Sequence, residues 1–252
     1  MSIAEKLTTV AENVSKVYEA GKKSEYDKFW DIFQDYGNRR YYSNAFTSVM
    51  STVNFWNEEN FNPKYDIILS ESANASDNMF LYTPIKDLEA ILLKNGVKFD
   101  TSQTTRLNGC FDRSRVEKVP SLDASNCTTI IRVFYDANKL IKAGFLNITE
   151  GCTFNNVFVS CYNLANLEIT GTIGQNGFNV KDCTKLTVAS LLSILTALSK
   201  ESSVASGKSV TFADNHLAII EDNEACLTQL SNAAGAGWSI FFGTTPYEGQ
   251  EG

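Results

Sequence analysis

Histidine occurs once in the 252 residues, as His216. A single imidazole excludes most histidine-built metal sites and argues against a Ser-His-Asp triad. Cysteine occurs six times, at positions 110, 127, 152, 161, 183 and 226, and never as C-x-x-C, so no zinc site is expected. Basic residues are in the minority: Lys plus Arg number 22 against 29 Asp plus Glu, for a formal net charge of -7. Large Lys/Arg clusters, which a nucleic-acid or anionic-membrane surface requires, are missing. Arg113, Arg115 and Lys118 gather locally, but Asp112 and Glu117 sit among them and dilute the charge. Apolar runs are short. The longest, Leu191 to Leu198, is interrupted by Ser193 and Thr196 and falls far below the roughly 18 residues a membrane span needs. At the start, Glu5 and Lys6 stand where the apolar part of a signal peptide would begin. The expectations are no signal peptide, synthesis in the cytoplasm, no membrane insertion, no nucleic-acid partner, and reduced, buried thiols acting as small hydrophobes.

What is present suffices for a sizeable core: 43% of residues are hydrophobic and 20% charged. Residues 1–36 read as a helical segment. Ile3, Leu7, Val10, Val14 and Val17 follow heptad spacing until Gly21 interrupts it, and Tyr26, Phe29, Trp30 and Phe33 resume helical spacing before Gly37. This segment is either a helix packed on its own domain or a stalk that makes a homo-oligomer. Residues 37–95 are rich in aromatics and read as a capping region. Within it Tyr65–Leu69 and Met79–Tyr82 are candidate strands, and Asp87–Asn95 a helix with Leu88, Ile91, Leu92 and Leu93 as its apolar side and Gly96 as its stop.

From about residue 96 to 188 the chain repeats. Val116, Leu140 and Leu164 are 24 apart, as are Val119, Ala143 and Leu167, while Phe111, Phe134 and Phe158 precede them at intervals of 23 and 24. Ala137, Cys161 and Cys183 fill the small slot three residues before each anchor leucine. Units of this kind cannot bury their apolar side alone, so neighbours must stack and share a core. Gly171, Gly174 and Gly177 are not the dinucleotide G-x-G-x-x-G and read as turns. The chain lacks a P-loop, a G-x-S-x-G and an EF-hand loop, so no cofactor is expected.

Leu164, Leu167 and Ile169, with Phe158-x-x-Cys161-x-x-Leu164, resemble the leucine-rich repeat family, and within it the BspA-type branch of bacterial surface proteins. Thr172 stands where the family's usual asparagine would fall. The order and texture of the whole chain, including Asn38-Arg-Arg-Tyr-Tyr-Ser-Asn-Ala-Phe46 and Pro63-Lys-Tyr-Asp-Ile67, is similar to repeat proteins encoded by phages and prophages of gut bacteria. The resemblance implies an α/β fold: a leucine-rich repeat-like solenoid with a parallel sheet, an N-terminal helical region and a C-terminal α/β cap. It also implies a virion-associated or cell-surface binding role.

Residues 189–242 supply the cap. Ser190 is expected to start a helix running through Lys200, Ser209–Phe212 to be a strand, and Asp214 or Asn215 to cap one helix carrying Leu217, Ile220, Leu227 and Leu230. Trp238–Phe242 closes as a strand, added in parallel to the repeat sheet, and residues 243–252 read as a loose tail. His216, beside Asp214, is a candidate general base, although the pair sits at a helix start where Asp is a cap. Glu58-Glu59 and Glu221-Asp222 are candidate glycosidase carboxylates or solvated surface. For binding, Phe145, Phe154 and Tyr162 lie off the anchor pattern. The two phenylalanines read as core and Tyr162 as exposed, and no catalytic, metal or cofactor residue is assigned. The leading expectation is a non-enzymatic recognition or adhesion module for a protein or glycan, working through the repeat sheet. The alternatives are a tailspike-like glycan-active enzyme and a purely structural virion component.

Overall fold

The computed structural model describes residues 61–63, 66–69, 79–200 and 208–248. The expected N-terminal helix and Glu58-Glu59 lie outside the described residues. In chain order the elements are β1 (Ile67–Ile68), α1 (Leu88–Asn95), β2 (Phe99–Asp100), β3 (Arg106–Asn108), β4 (Leu122–Asp123), β5 (Thr129–Ile131), β6 (Lys142–Ile148), β7 (Thr153–Asn155), β8 (Asn166–Gly171), α2 (Val188–Ser199), β9 (Ser209–Phe212), α3 (His216–Glu221), α4 (Glu224–Gly235), β10 (Ser239–Phe242) and β11 (Thr245–Pro246). The fold is mixed α/β with several parallel sheets and, among the described residues, no closed barrel.

The sequence period becomes a hydrogen-bond register. In a first column β3, β5 and β7 pair in parallel, with Arg106 opposite Thr129 and Thr129 opposite Thr153. In a second column β4, β6 and β8 do the same: Leu122 faces Phe145, which faces Ile169. Side chains alternate along each short strand, so Leu107, Ile130 and Phe154 point inward and are buried while their neighbours face out. A bulge falls between Phe145 and Ile148, and Gly171 fits against it at φ +97°, where a Cβ would sit 2.2 Å from the Ile148 carbonyl oxygen.

The phenylalanines form a ladder inside the array. Phe80 stacks on Phe111 at 5.0 Å, Phe111 on Phe134 at 5.5 Å and Phe134 on Phe158 at 5.9 Å. Each buried ring contributes about 1.5–3 kcal/mol by leaving water, with a further ~1 kcal/mol from stacking. Phe80 is thus the first rung among the described residues, and Met79–Tyr82 is a pair of turns rather than a strand. The stacked array accordingly begins upstream of residue 96. The turn after each rung is left-handed, at Tyr82, Arg113, Asp136 and Ser160. There the backbone N–H reaches the next turn: Arg113 N–H donates to the Tyr135 carbonyl at 2.7 Å, and Asp136 N–H to that of Val159 at 2.8 Å.

Helix α1 begins at an Asp87 cap whose carboxylate accepts from Ala90 N–H, and Gly96 ends it in the left-handed region. Leu93, expected on its buried side, is 81% exposed, because it falls one position past the 88-91-92 stripe. Helix α2 starts three residues earlier than expected: Thr187 caps it, and Ser190 is inside and buried. The single helix expected after residue 214 is two. Asn223 breaks it and caps α4, its side chain accepting from Cys226 N–H at 3.0 Å. Asn215 sits at the N-cap of α3 but spends its side-chain amide on the Thr184 carbonyl instead. β9 and β10 are parallel to each other, yet they form a separate sheet, joined to the array through a parallel bridge between Asn179 and Thr211 and through Ser209 N–H, which donates to Asn176 Oδ1 at 2.7 Å. Residues 245–246, expected within a loose tail, form β11 on β10, and Tyr247 N–H donates to the Ile240 carbonyl at 2.8 Å.

Candidate binding groove at the break in the first column

The two columns end differently, and the difference makes the site. The second column stops at β8, where α2 crosses its edge. Leu167 N–H donates to Ser190 Oγ, which donates on to the Ala165 carbonyl, both at 2.9 Å. Ser193 repeats the arrangement between Ile169 N–H and the Leu167 carbonyl. A serine hydroxyl both accepts and donates, so two of them replace a missing strand.

The first column continues, but out of step. Phe178 keeps the strand position's period, 24 after Phe154, but the ladder position passes to Val180, only 22 after Phe158, and the Phe178 ring meets Phe158 edge-on at 72°. Ser160 N–H, which in earlier turns would find a carbonyl, donates to the Asp182 carboxylate at 2.9 Å. Where stacking breaks, a groove of about 460 Å³ opens between β7, residues 177–182 and β9. Phe154 and Phe178 form its apolar floor, T-shaped at 5.2 Å, and both are buried. Asn155, Asn156, Asn179, Lys181, Ser209 and Thr211 supply its polar lining. Asn179 Oδ1 accepts from Lys181 N–H at 2.9 Å, which holds the amide in place and leaves its NH2 group for a ligand. The side chains of Asn155, Asn156 and Lys181 have no hydrogen-bond or ion-pair partner among the described residues. Asp182 is the groove's one carboxylate.

His216 does not face the groove. It is fully buried, with Ala213 N–H donating to Nδ1 at 3.3 Å and Nε2 bonded to the Cys183 carbonyl at 3.0 Å. The Nδ1 contact puts the proton on Nε2. Burial pushes the imidazole pKa down to about 4, so it is a neutral core residue that pins α3 to the array. Asp214 beside it is exposed. Glu221 and Asp222 are exposed at the end of α3. Phe145 and Phe154 are core, and Tyr162 is 52% exposed, with its hydroxyl donating to Ser160 Oγ at 3.2 Å.

All six cysteines are free and buried. Burial raises the thiols of Cys127 and Cys152 to about 12 and also pushes those of Cys161 and Cys183 well above the ordinary thiol value. Cys161 Sγ donates to the Phe134 carbonyl at 3.0 Å, linking one turn to the previous rung. Among the described residues, no group of three or more His, Cys, Asp or Glu is placed to hold a metal ion, and no helix is long and apolar enough to cross a membrane.

The local charge cluster resolves into an aromatic-ionic knot. Arg132 pairs with Asp112 at 3.0 Å and lies 3.9 Å over the Tyr135 ring. Arg113 sits 5.6 Å from that ring and 6.0 Å from Tyr82. Burial raises the Asp112 carboxyl, against the pull of Arg132 and Arg113.

Phe154 is the one groove residue weighed for binding in the sequence, where it reads as core; the polar lining carries no such mark. A usable signal was there: Asn155 and Asn179 are 24 apart, an outward slot on the same period as the core anchors. No family model, curated protein or solved structure matches this chain.

Proposed function

We propose that the chain is a non-enzymatic recognition module, its stacked array a short leucine-rich repeat-like solenoid that binds through the outward face of the first column. The observation that carries this reading is the groove chemistry: several unengaged polar side chains converge on one concavity whose single carboxylate is already committed to Ser160 N–H. A glycosidase needs two carboxyl groups about 5–9.5 Å apart, and the groove lining offers one. The 23–24-residue register and the phenylalanine ladder support the solenoid assignment. The resemblance of the sequence supports a place on a virion or cell surface, and the heptad spacing of Ile3, Leu7, Val10, Val14 and Val17 supports an assembly stalk.

The outward row Thr129–Thr153 leads along the sheet toward the groove. The test is binding of labelled protein to bacterial cells and to a glycan array, comparing wild type with the double variant Thr129→Arg/Thr153→Arg. Lost binding with an unchanged melting temperature supports the reading. Equal binding by both proteins sinks it. Light scattering on the full chain, and on one starting near residue 37, tests the stalk: an oligomer that becomes a monomer on truncation is the expected result.

A further inference from the structure

The groove contains more specific chemistry than a general binding face. Its one cation is Lys181, which has no ion pair within 4 Å among the described residues, and its one carboxylate, Asp182, accepts from Ser160 N–H. Around it stand the amide of Asn179, held by its bond to Lys181 N–H, and the unengaged amides of Asn155 and Asn156. Amides both donate and accept, so they satisfy adjacent hydroxyls of either orientation, whereas an ammonium only donates and prefers an anion. The walls Ser209 and Thr211 add hydroxyl-bearing residues of the same kind. The floor rings of Phe154 and Phe178 are buried, so an apolar or aromatic ligand finds no platform.

We infer that this groove is a subsite for an anionic sugar unit, a hydroxyl-rich ring bearing one carboxylate or phosphate. Lys181 takes the anion, and Asn155, Asn156 and Asn179 read the hydroxyls. The inference rests on the recognition reading above and gives it a ligand class. Asp182 turns Oδ2 to Ser160 N–H at 2.9 Å, and its remaining oxygen can accept from a sugar hydroxyl beside the anion held by Lys181. A volume of about 460 Å³ accommodates one or two sugar rings rather than a long chain.

The experiment is calorimetric titration of the full chain with oligogalacturonate for the carboxylate, glucose 1-phosphate for the phosphate, and cellohexaose as the neutral control. One anionic probe is expected to bind, with affinity falling as salt rises, and the probe that binds identifies the anion. Lys181→Gln is expected to weaken that probe about tenfold or more, the usual effect of losing a charge-assisted bond. Asn179→Ala should weaken it several-fold, and Lys181→Arg should retain most of it. Melting curves of each variant check the fold. Absence of binding by both anionic probes overturns the subsite, as does a Lys181→Gln variant that binds like wild type. If Lys181→Gln leaves cell binding intact while Thr129→Arg/Thr153→Arg abolishes it, the subsite fails and the recognition face stands. If neither variant alters binding to any partner, both readings fail.

Discussion

The two strand columns begin alike and end in opposite ways. In the second, a helix closes the edge: Ser190 and Ser193 accept from β8 N–H groups and donate to its carbonyls, so the last strand is satisfied as though another followed. In the first, the sheet passes to β9 through one bridge, and the displaced turn leaves side chains without partners. An exposed strand edge invites unwanted pairing, and the serines prevent it. A break in register does the reverse: it converts repeat positions that would be structural into a concave polar surface. Stability is therefore concentrated at the closed end, and the proposed recognition site lies at the interrupted one.

That contrast can be broken at several strengths. The largest effect is expected from Leu167→Asp, which buries an unpaired charge in β8 beneath α2; the protein should fail to show a cooperative melt at 25 °C. An unaltered melting curve would remove the stacked array from the account. Phe134→Ala, in the middle of the ladder, should cost about 3–5 kcal/mol in a urea titration. Ser190→Ala is smaller but more pointed. It strands Leu167 N–H in a buried setting, while the Ala165 carbonyl keeps its bond from Thr187 N–H, so a loss of about 1–2 kcal/mol is expected. Asn155→Ala, at the other column's end, should change stability by less than about 0.5 kcal/mol, since the side chain touches solvent and no partner. Equal costs for the serine and the asparagine would erase the distinction between the two ends.

pH offers an independent handle, because His216 ties the cap to the array. Its folded pKa, about 4, lies below the ordinary value of 6.5, so the unfolded chain takes up the proton first. The contribution is complete above pH 6.5, declines as pH falls from 6.5 to 4, and is constant below that. The total is about 3 kcal/mol. In His216→Gln this part of the pH dependence should disappear, as denaturant titrations at pH 7, 5.5 and 4 would show; a slope like that of wild type would mean another group is responsible.

Much of the array was legible before any coordinates. Phe111, Phe134 and Phe158 stack as their spacing requires, Leu167 and Ile169 lie on a strand, and Asp87 and Gly96 bracket a helix at both ends. These features depend on local pattern and on a period repeated several times. Phe80 escaped the pattern because helix α1 lies within its unit and stretches the interval to Phe111 to 31 residues. Ser190 reads as a cap in the sequence because a serine before an apolar run is the usual cap signal, and nothing nearby reveals that β8 requires its hydroxyl.

The sequence alone determined the inward side of the protein: which residues are buried, in what period, and with which small residues between them. Burial follows from apolar side chains recurring at a fixed interval, and an interval can be counted. Tertiary structure decided where the columns end and what faces outward there. The paired serines and the groove both depend on contacts between residues 20 or more positions apart across turns that do not match. A shortfall of one or two residues between Phe158 and Val180 reads as noise in a repeat. In three dimensions it shifts a whole turn, separates two strands and frees the polar side chains that line the gap.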